Sequence, residues 1–559
     1  IETKKELSIG ITYIRNLGPS EDDFFCYGIT QDLIIEATKI PQIKIPQINQ
    51  IIKYKDLEID SMELASKLDV DYILEGNIMK MGDSFRLSLE LKNAKQKIDL
   101  WIETWEGNSG LLQDIKSKAL YKILDSINVE IPPHLKKILD TEKQINPEAY
   151  EYFIKAKFLS TTSKNRADLE VVQNLYKKSI DLDSDYIDPR YYYAFELLRV
   201  NELDKAVDIL NDALIVAKKN KDKPGIAGIN IVYGAIYKSW GRYEKALEYY
   251  EEALIIRVEE KNLQDEAKVL NGLAQCYLHL NHMQKAFECY ERSIDIKKSL
   301  DDKQGVANSL SNLSIYYKNL CEYGKAISTA EEAIKFYNTV ENPMGEFRNK
   351  IHLAMYQVIV GYFEDAKKNL LDALSFMQNI NDYKYIGTVY RYLGLVELNG
   401  QSWSSAQDYF IKALDFHQKA EWRPAFETTT LFLGLSYFYD EKYDLAEKFI
   451  KKAVQITERR TNTTFYGTTA KLVHTMLRTK LGTCTENEID FLAKEIEKEN
   501  LSNMSLFNVE SSPIKREHWY ISQCYFNLGL NDKFEKFKKL AYDDMMKSSE
   551  YIEDEKVRG

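Results

Sequence analysis

Proline and glycine are both scarce, at 11 and 24 of 559 residues. That scarcity excludes collagen-like and Pro/Gly-rich disordered architectures and favours long uninterrupted helices. Cysteine is equally thin. Cys26, Cys276, Cys289, Cys321, Cys484 and Cys524 form no CxxC pair and no dense framework. The pattern excludes a disulfide-stapled scaffold and reads as free thiols in a reducing compartment. A surplus of positive charge is missing too. The net charge is −11, which weighs against a nucleic-acid-binding segment, because such a surface needs a concentrated basic face. No apolar run approaches the length that crosses a bilayer, and no secretory leader pattern is present. Catalytic signatures are also lacking: there is no P-loop, no GxGxxG, no GxSxG and no HExxH. No catalytic residue and no cofactor is therefore expected within these residues.

What the chain has in abundance is repetition, the first signal to look for in a long helical sequence. "GRYEKALEYYEEAL" from Gly241, "HMQKAFECYERSI" from His282 and "GYFEDAKKNLLDAL" from Gly361 are variations on one pattern. An alanine recurs at Ala206, Ala246, Ala286, Ala326, Ala366, Ala406 and Ala446, always 40 residues apart. Seven residues later come Ala213, Ala253, Ser293, Ala333, Ala373, Ala413 and Ala453. Twelve residues before the first column come Ala194, Gly234, Ala274, Ser314, Ala354, Gly394 and Gly434. Small side chains let two helices approach closely while larger apolar ones fill the remaining space. Each repeat therefore reads as a first helix, a short turn and a second helix. The two alanine columns share one face of the second helix, because seven residues is close to two turns. Gly241 and Gly361 fall where a helix end favours glycine. Tyr237, Tyr277, Tyr317 and Tyr437 recur at one first-helix position and are expected to pack between helices.

These columns resemble those of tetratricopeptide repeats, in a subclass with lengthened helices. The resemblance covers roughly residues 146–480, about eight to nine repeats, and implies an α-solenoid. Asn146 and Pro147 read as N-cap and first helical residue of an irregular opening unit. Residues 481–559 lose the phase, read as an irregular helical cap, and end in a frayed "SSEYIEDEKVRG".

Residues 1–129 have another texture, with a linker at 130–145. "LSIGITYI" alternates like a strand, "GITQDLIIEATKI" reads as a helix, "QIKIPQI" as a short strand and "SMELASKL" as a helix. "DYILEGNIMKM" and "FRLSLELKNA" read as a hairpin turning at Gly82-Asp83, "KIDLWIETWEG" as a further strand and "LLQDIKSKALYKILDSI" as a closing helix. A small α/β or α+β layer is expected. Its order and three patches resemble the TolB-like N-terminal domain of bacterial signalling proteins. The patches are "FFCYGITQDLI" (Gly28 and Asp32, with Phe25, Thr30 and Leu33), "LDVDYILEGNI" (Glu75 and Gly76, with Leu74) and "DLWIETW" (Trp101, with Leu100). The second strand departs from that pattern, with "IPQINQI" where a polar stretch is usual. The resemblance implies a bacterial cytoplasmic setting and an upstream effector: a class III nucleotide cyclase, a Ser/Thr kinase or a winged-helix DNA-binding domain. The chain begins at Ile1 rather than methionine, and such a domain is expected ahead of it.

His279 and His282 stand at i,i+3 spacing, but metal sites normally want three or four ligands, so no metal is expected. His474 continues the small-residue column as a packing variation. The better candidate is the inner face of the solenoid, lined by first helices. Counting from the small residue, inner positions lie six and three before it and one, four and five after it. They give Lys238, Lys268, Asn271, Gln275, Asn308, Lys318, Asn319, Arg348, Arg391 and Asn399 as exposed groups for a protein or peptide partner. Amides can pair with an extended backbone, and Lys or Arg with carboxylates. The reading is a non-catalytic interaction and regulatory module. Its alternatives are a fragment of a nucleotide cyclase or kinase, or the regulatory part of a winged-helix transcriptional regulator.

Overall fold

The computed structural model describes residues 7–38, 40, 43–46, 48–57, 59–82, 84–108, 112–129, 145–162, 166–420, 422–458, 465–502 and 517–550. The expected linker falls outside these residues save for Ile145, as do residues 551–559. The chain forms two compact units, Ile1–Val306 and Ala307–Gly559.

The front of the first unit is a sheet with helices against it. Its strands are β1 (Leu7–Ile11), β2 (Arg15–Asn16), β3 (Ile43–Lys44), β4 (Tyr72–Met81), β5 (Ser84–Asn93) and β6 (Ile98–Asn108). The order is β3-β1-β4-β5-β6, with β2 beside β4. β1 pairs in parallel with β3 and β4, whereas β4, β5 and β6 run antiparallel. The parallel pairs need crossovers. They are supplied by α1 (Asp23–Thr38), the single turn α2 (Ile48–Ile51) and α3 (Ser61–Leu68), and α4 (Leu112–Ser126) closes the layer. The strands and helices expected from the pattern are present, but β2 and α2 are too short to announce themselves by periodicity.

Helix α1 is apolar nearly all round. Phe24, Phe25, Cys26, Tyr27, Ile29, Leu33, Ile34 and Ala37 are buried, as a helix with neighbours on opposite sides must be. One side faces the sheet. The other faces α5 (Pro147–Thr162), the first helix of the helical region. Asn146 caps α5, its Oδ1 accepting from the N–H groups of Glu148 (3.0 Å) and Ala149 (3.3 Å). One core runs without interruption from Ile9 in β1 to Ile236.

The repeats are built on a half-period of 20 residues. Most helices between Leu203 and Tyr439 have 17 residues, for example Tyr243–Glu259, Leu263–His279 and Met283–Ser299. Each turn between them whose residues are all described contains one residue with positive φ. These are Asn201, Lys221, Gly241, Lys261, Asn281, Asp301, Cys321, Glu341, Gly361, Asn381, Gln401 and Glu441. Gly241 and Gly361 sit at φ 72° and 87°, as the sequence leads one to expect. The remaining turns adopt the same geometry with side chains that tolerate it less well. A further column lies in the turns. Asp222, Asn262, Asp302, Asn342 and Asp382 recur every 40 residues, and each accepts a hydrogen bond from the backbone N–H three residues on, at 2.8–3.2 Å. These are N-caps, fixing where each first helix begins.

All three small-residue columns are buried. The reason for glycine is direct at two of them. A Cβ on Gly234 would lie 2.7 Å from the Tyr250 ring, and one on Gly394 would lie 2.6 Å from Phe410. The recurring tyrosines pack between helices as expected: Tyr237 stacks on Tyr249 at 5.3 Å and Tyr437 on Phe449 at 5.6 Å. Within each unit, first helices of successive repeats approach each other more closely than second helices do. The first helices therefore line the inner side of the curve.

Candidate functional site

The front motif builds a junction. A Cβ on Gly28 would lie 3.1 Å from Ile154 of α5, so glycine permits the close approach of α1 to α5. One turn later, Asp32 accepts hydrogen bonds from Lys116 Nζ of α4 (2.6 Å) and Tyr150 Oη of α5 (2.7 Å). Lys157 Nζ lies 3.9 Å from its other oxygen. The side chains of Lys116 and Lys157 are only 9% and 8% exposed. Burial alone would raise the Asp32 pKa. The two lysines and the two hydrogen bonds outweigh it and hold the carboxyl below its usual range. Lys157 is held above its ordinary value despite burial, by Tyr192 and Asp32. Thr30 ties α1 to the sheet, accepting from the Ile14 N–H (3.1 Å) and donating to the Cys26 carbonyl (2.7 Å). A second contact lies far along the chain. Gln50 Nε2 donates to Asp301 Oδ2 at 3.3 Å, and Lys44 Nζ stands 3.9 Å from the same oxygen.

The other motif residues do not join this junction. Gly76 is a packing glycine, since a Cβ there would meet Leu89 Cδ2 at 2.6 Å. Glu75 lies opposite Glu90 across β4 and β5, and Lys92 holds both, at 2.8 and 3.4 Å. A cavity of about 260 Å³ opens beside Glu75 and Gly76, walled further by Tyr13, Arg15 and Tyr54. Trp101 turns to the helix side, edge-on to Trp105 at 6.4 Å and beneath Lys122 of α4.

The inner-face residues fall in both units. In the first, Lys238 Nζ donates to Gln275 Oε1 at 2.7 Å, Lys268 pairs with Asp265 at 3.0 Å on its own helix, and Asn271 is half-buried. In the second, Arg348, Asn308 and Asn399 are exposed. Asn308 Oδ1 accepts from Tyr337 Oη at 2.7 Å, and Asn399 Nδ2 donates to the Leu395 carbonyl at 2.8 Å. Lys318, Asn319 and Arg391 depart from the expected exposure, each being only 4% accessible. Neighbouring side chains cover them: Arg391 lies against the Tyr392 ring at 4.7 Å, and Lys318 lies near His352 of the next first helix. One further cation, Lys384, joins the predicted Arg348 from outside the five positions. Arg348 lies over the ring of Tyr385 (4.9 Å), and Lys384 lies 5.8 Å from that ring and 3.7 Å from the Trp422 ring. His352, pushed down to about 4 by burial and by Arg348 and Lys318, leaves Nδ1 without a hydrogen-bond partner. None of the five inner positions in the repeats of Ser314, Ala354, Gly394 and Gly434 is Asp or Glu. Half-buried apolar groups, Val358, Ile359, Leu395 and Leu398, occupy several of them.

His279 stacks on Tyr243 at 4.2 Å and His282 meets Tyr277 edge-on. Among the described residues no three His, Cys, Asp or Glu side chains gather as a metal site would require. His474 is half-buried at its place in the small-residue column. Among the described residues no helix is long and apolar enough to cross a membrane.

Residues 265–339 and 227–256 match the tetratricopeptide repeat family. The chain is 21% identical over 151 residues to "Putative adenylate cyclase 3" of Rhizobium meliloti (strain 1021), a match covering 27% of this chain and 26% of that protein. The chain thus spans about a quarter of that relative's length. Among solved structures, a Rap protein complexed with competence and sporulation factor is similar at TM-score 0.49 and 13% identity, covering 65% of this chain and 99% of the other. A signal transduction ATPase with a tetratricopeptide repeat sensor, from Pyrococcus horikoshii, is similar at TM-score 0.46 and 15% identity, covering 72% and 57%.

Proposed function

We propose that this chain is a non-catalytic interaction and regulatory module. Its first-helix faces take a peptide or protein partner, and its front domain, read as TolB-like, relays occupancy to an effector. The observation that carries this reading is the Asp32 junction. A carboxylate on the front domain holds donors from α4 and from the first solenoid helix at 2.6 and 2.7 Å, so displacement of α5 is felt directly by the front domain. Inner faces of stacked helical pairs are the extended surfaces through which solenoids bind. A second reading, in which these residues are the regulatory portion of a nucleotide cyclase, draws support from the similarity to the adenylate cyclase relative.

The test is co-purification from native cells of the wild-type chain and of a Lys238→Ala, Gln275→Ala variant, with thermal unfolding measured alongside. Loss of a stoichiometric partner with an unchanged unfolding midpoint supports the reading. An identical partner set from both chains refutes it for this face.

A further inference from the structure

The cavity of the front domain lies on the sheet face covered by α3, away from the Asp32 junction. Strand register sets two rows of side chains on its floor. Glu75 of β4 stands opposite Glu90 of β5, and Asn77 opposite Ser88. Arg15 of β2 is paired with Asn77. Thr12 follows Ile11, the partner of Leu74, and so stands beside Glu75. The floor is a row of Thr12, Glu75 and Glu90 next to a row of Arg15, Asn77 and Ser88, and all six line the cavity of about 260 Å³. Its wall is apolar, with Ile51, Leu57, Ile59 and Leu64 from the crossover between β3 and β4.

The polar groups of the floor do not satisfy one another. Lys92 Nζ reaches one oxygen of Glu75 at 2.8 Å and one of Glu90 at 3.4 Å, so two carboxylates share one ammonium. Asp99 adds a third negative charge. Glu90 is held above its ordinary range by burial first, with Asp99 adding to the effect and Lys92 opposing it. Thr12 is only 8% accessible, yet its hydroxyl has no hydrogen-bond partner among the described residues. Arg15 is exposed at the mouth and has no carboxylate partner among them. Lys55, the other cation lining the cavity, is already held by Asp23. Convergent open polar groups against an apolar wall are how small-molecule pockets are built.

We propose that this cavity binds an α-amino acid with an apolar side chain. Its ammonium lies at Glu75 and the Thr12 hydroxyl, its carboxylate at Arg15 and the Asn77 amide, and its side chain against Leu57, Ile59 and Leu64. The two rows are two residues apart along the strands, about 7 Å. An α-amino acid with a hydrogen bond of about 2.8 Å at each end spans that distance. A phosphate or other simple anion would face the acid row, and a simple amine would leave Arg15 unmatched. The proposal is independent of what the solenoid binds.

The experiment is isothermal titration calorimetry of the full chain with L-leucine, L-isoleucine, L-methionine and L-phenylalanine, then with the N-acetyl and amide forms of the tightest binder. N-acetylation removes the ammonium and amidation the carboxylate. Each blocked form is expected to bind at least about tenfold more weakly than the free amino acid. Arg15→Ala should bring the free amino acid down to the level of its amide, and Glu75→Gln to the level of its N-acetyl form. Lys118→Ala, exposed on α4 and outside the cavity, should change neither preference. If Glu75→Gln fails to fold, Arg15→Ala alone decides, because that side chain is exposed. Binding of none of the four, blocked forms that bind as tightly as the free amino acid, or a preference that survives the variants overturns the proposal.

Discussion

Asp32→Ala should loosen the front domain from the solenoid without unfolding either. The substitution leaves two nearly buried ammonium groups, Lys116 and Lys157, without their shared carboxylate, and removes the acceptor of Tyr150 Oη. Breaking a buried ion pair on one side costs about 3–5 kcal/mol. Asp32 keeps 18% of its side chain exposed, so water recovers part of the loss and about 3 kcal/mol is the better figure. Global unfolding of so long a chain is not a two-state event, so the assay has to be local. Hydrogen exchange followed by mass spectrometry suits it. A loss of about 3 kcal/mol speeds exchange through junction opening by about a hundredfold in peptides from α1 and α5. The helix Pro343–Val360 should be unaffected. A change below about threefold in α1 and α5, or an equal change in the distant helix, would refute the reasoning. The pH dependence has a definite sign. The Asp32 carboxyl is lowered in the folded state, so its contribution is complete above the unfolded carboxylate pKa, near ~4. It is lost as pH falls through the lower folded value. Asp32→Asn should therefore exchange faster at neutral pH and lose this acid-dependent component.

Two other outcomes follow from the repeat geometry. Ala286→Phe places a ring where the alanine is wholly buried and should cost about 1–3 kcal/mol or more by overpacking. Chemical denaturation checks it, and an unchanged midpoint would mean the column is not a close-packed seam. Glu341→Gly relieves a residue at φ 54° and should stabilise by up to about 1 kcal/mol. A drop in the thermal midpoint would show that the glutamate side chain contributes more than its backbone strain costs.

Much of the fold was written in the spacing. Columns of small residues in fixed phase can arise in few ways other than stacked helical pairs, and every one of those columns is buried. The N-cap column at Asp222, Asn262, Asp302, Asn342 and Asp382 was equally periodic but easy to overlook, because Asp and Asn are common in any polar turn. The burial of Lys318, Asn319 and Arg391 was not legible. It depends on how much of a neighbouring helix overlies them, and a 40-residue period fixes helix length without fixing that overlap. The junction was half legible. Gly28 and Asp32 stood out in the front motif, but their partners Ile154, Tyr150 and Lys157 lie more than 100 residues on. No local pattern links sites so far apart.

The chemistry of the junction bears on how a signal would cross it. A stacked array leaves its first helix with one apolar side uncovered, and α1 covers that side of α5 much as another repeat would. Gly28 plays the part that small residues play elsewhere in the array. An apolar contact alone would tolerate sliding, since burial has no direction. A carboxylate holding two donors at 2.6 and 2.7 Å does not, because hydrogen bonds weaken steeply with misalignment. The domain is also touched at a second point, where Gln50 and Lys44 meet Asp301 in the turn after Ser299. Fixing one domain at both α5 and Asp301 spans the intervening repeats. Any change in their curvature must strain one of the two contacts. The half-buried contact at Asp301, with Lys44 Nζ at 3.9 Å, is the weaker, so it yields first, while the buried Asp32 network keeps the front domain seated on α5.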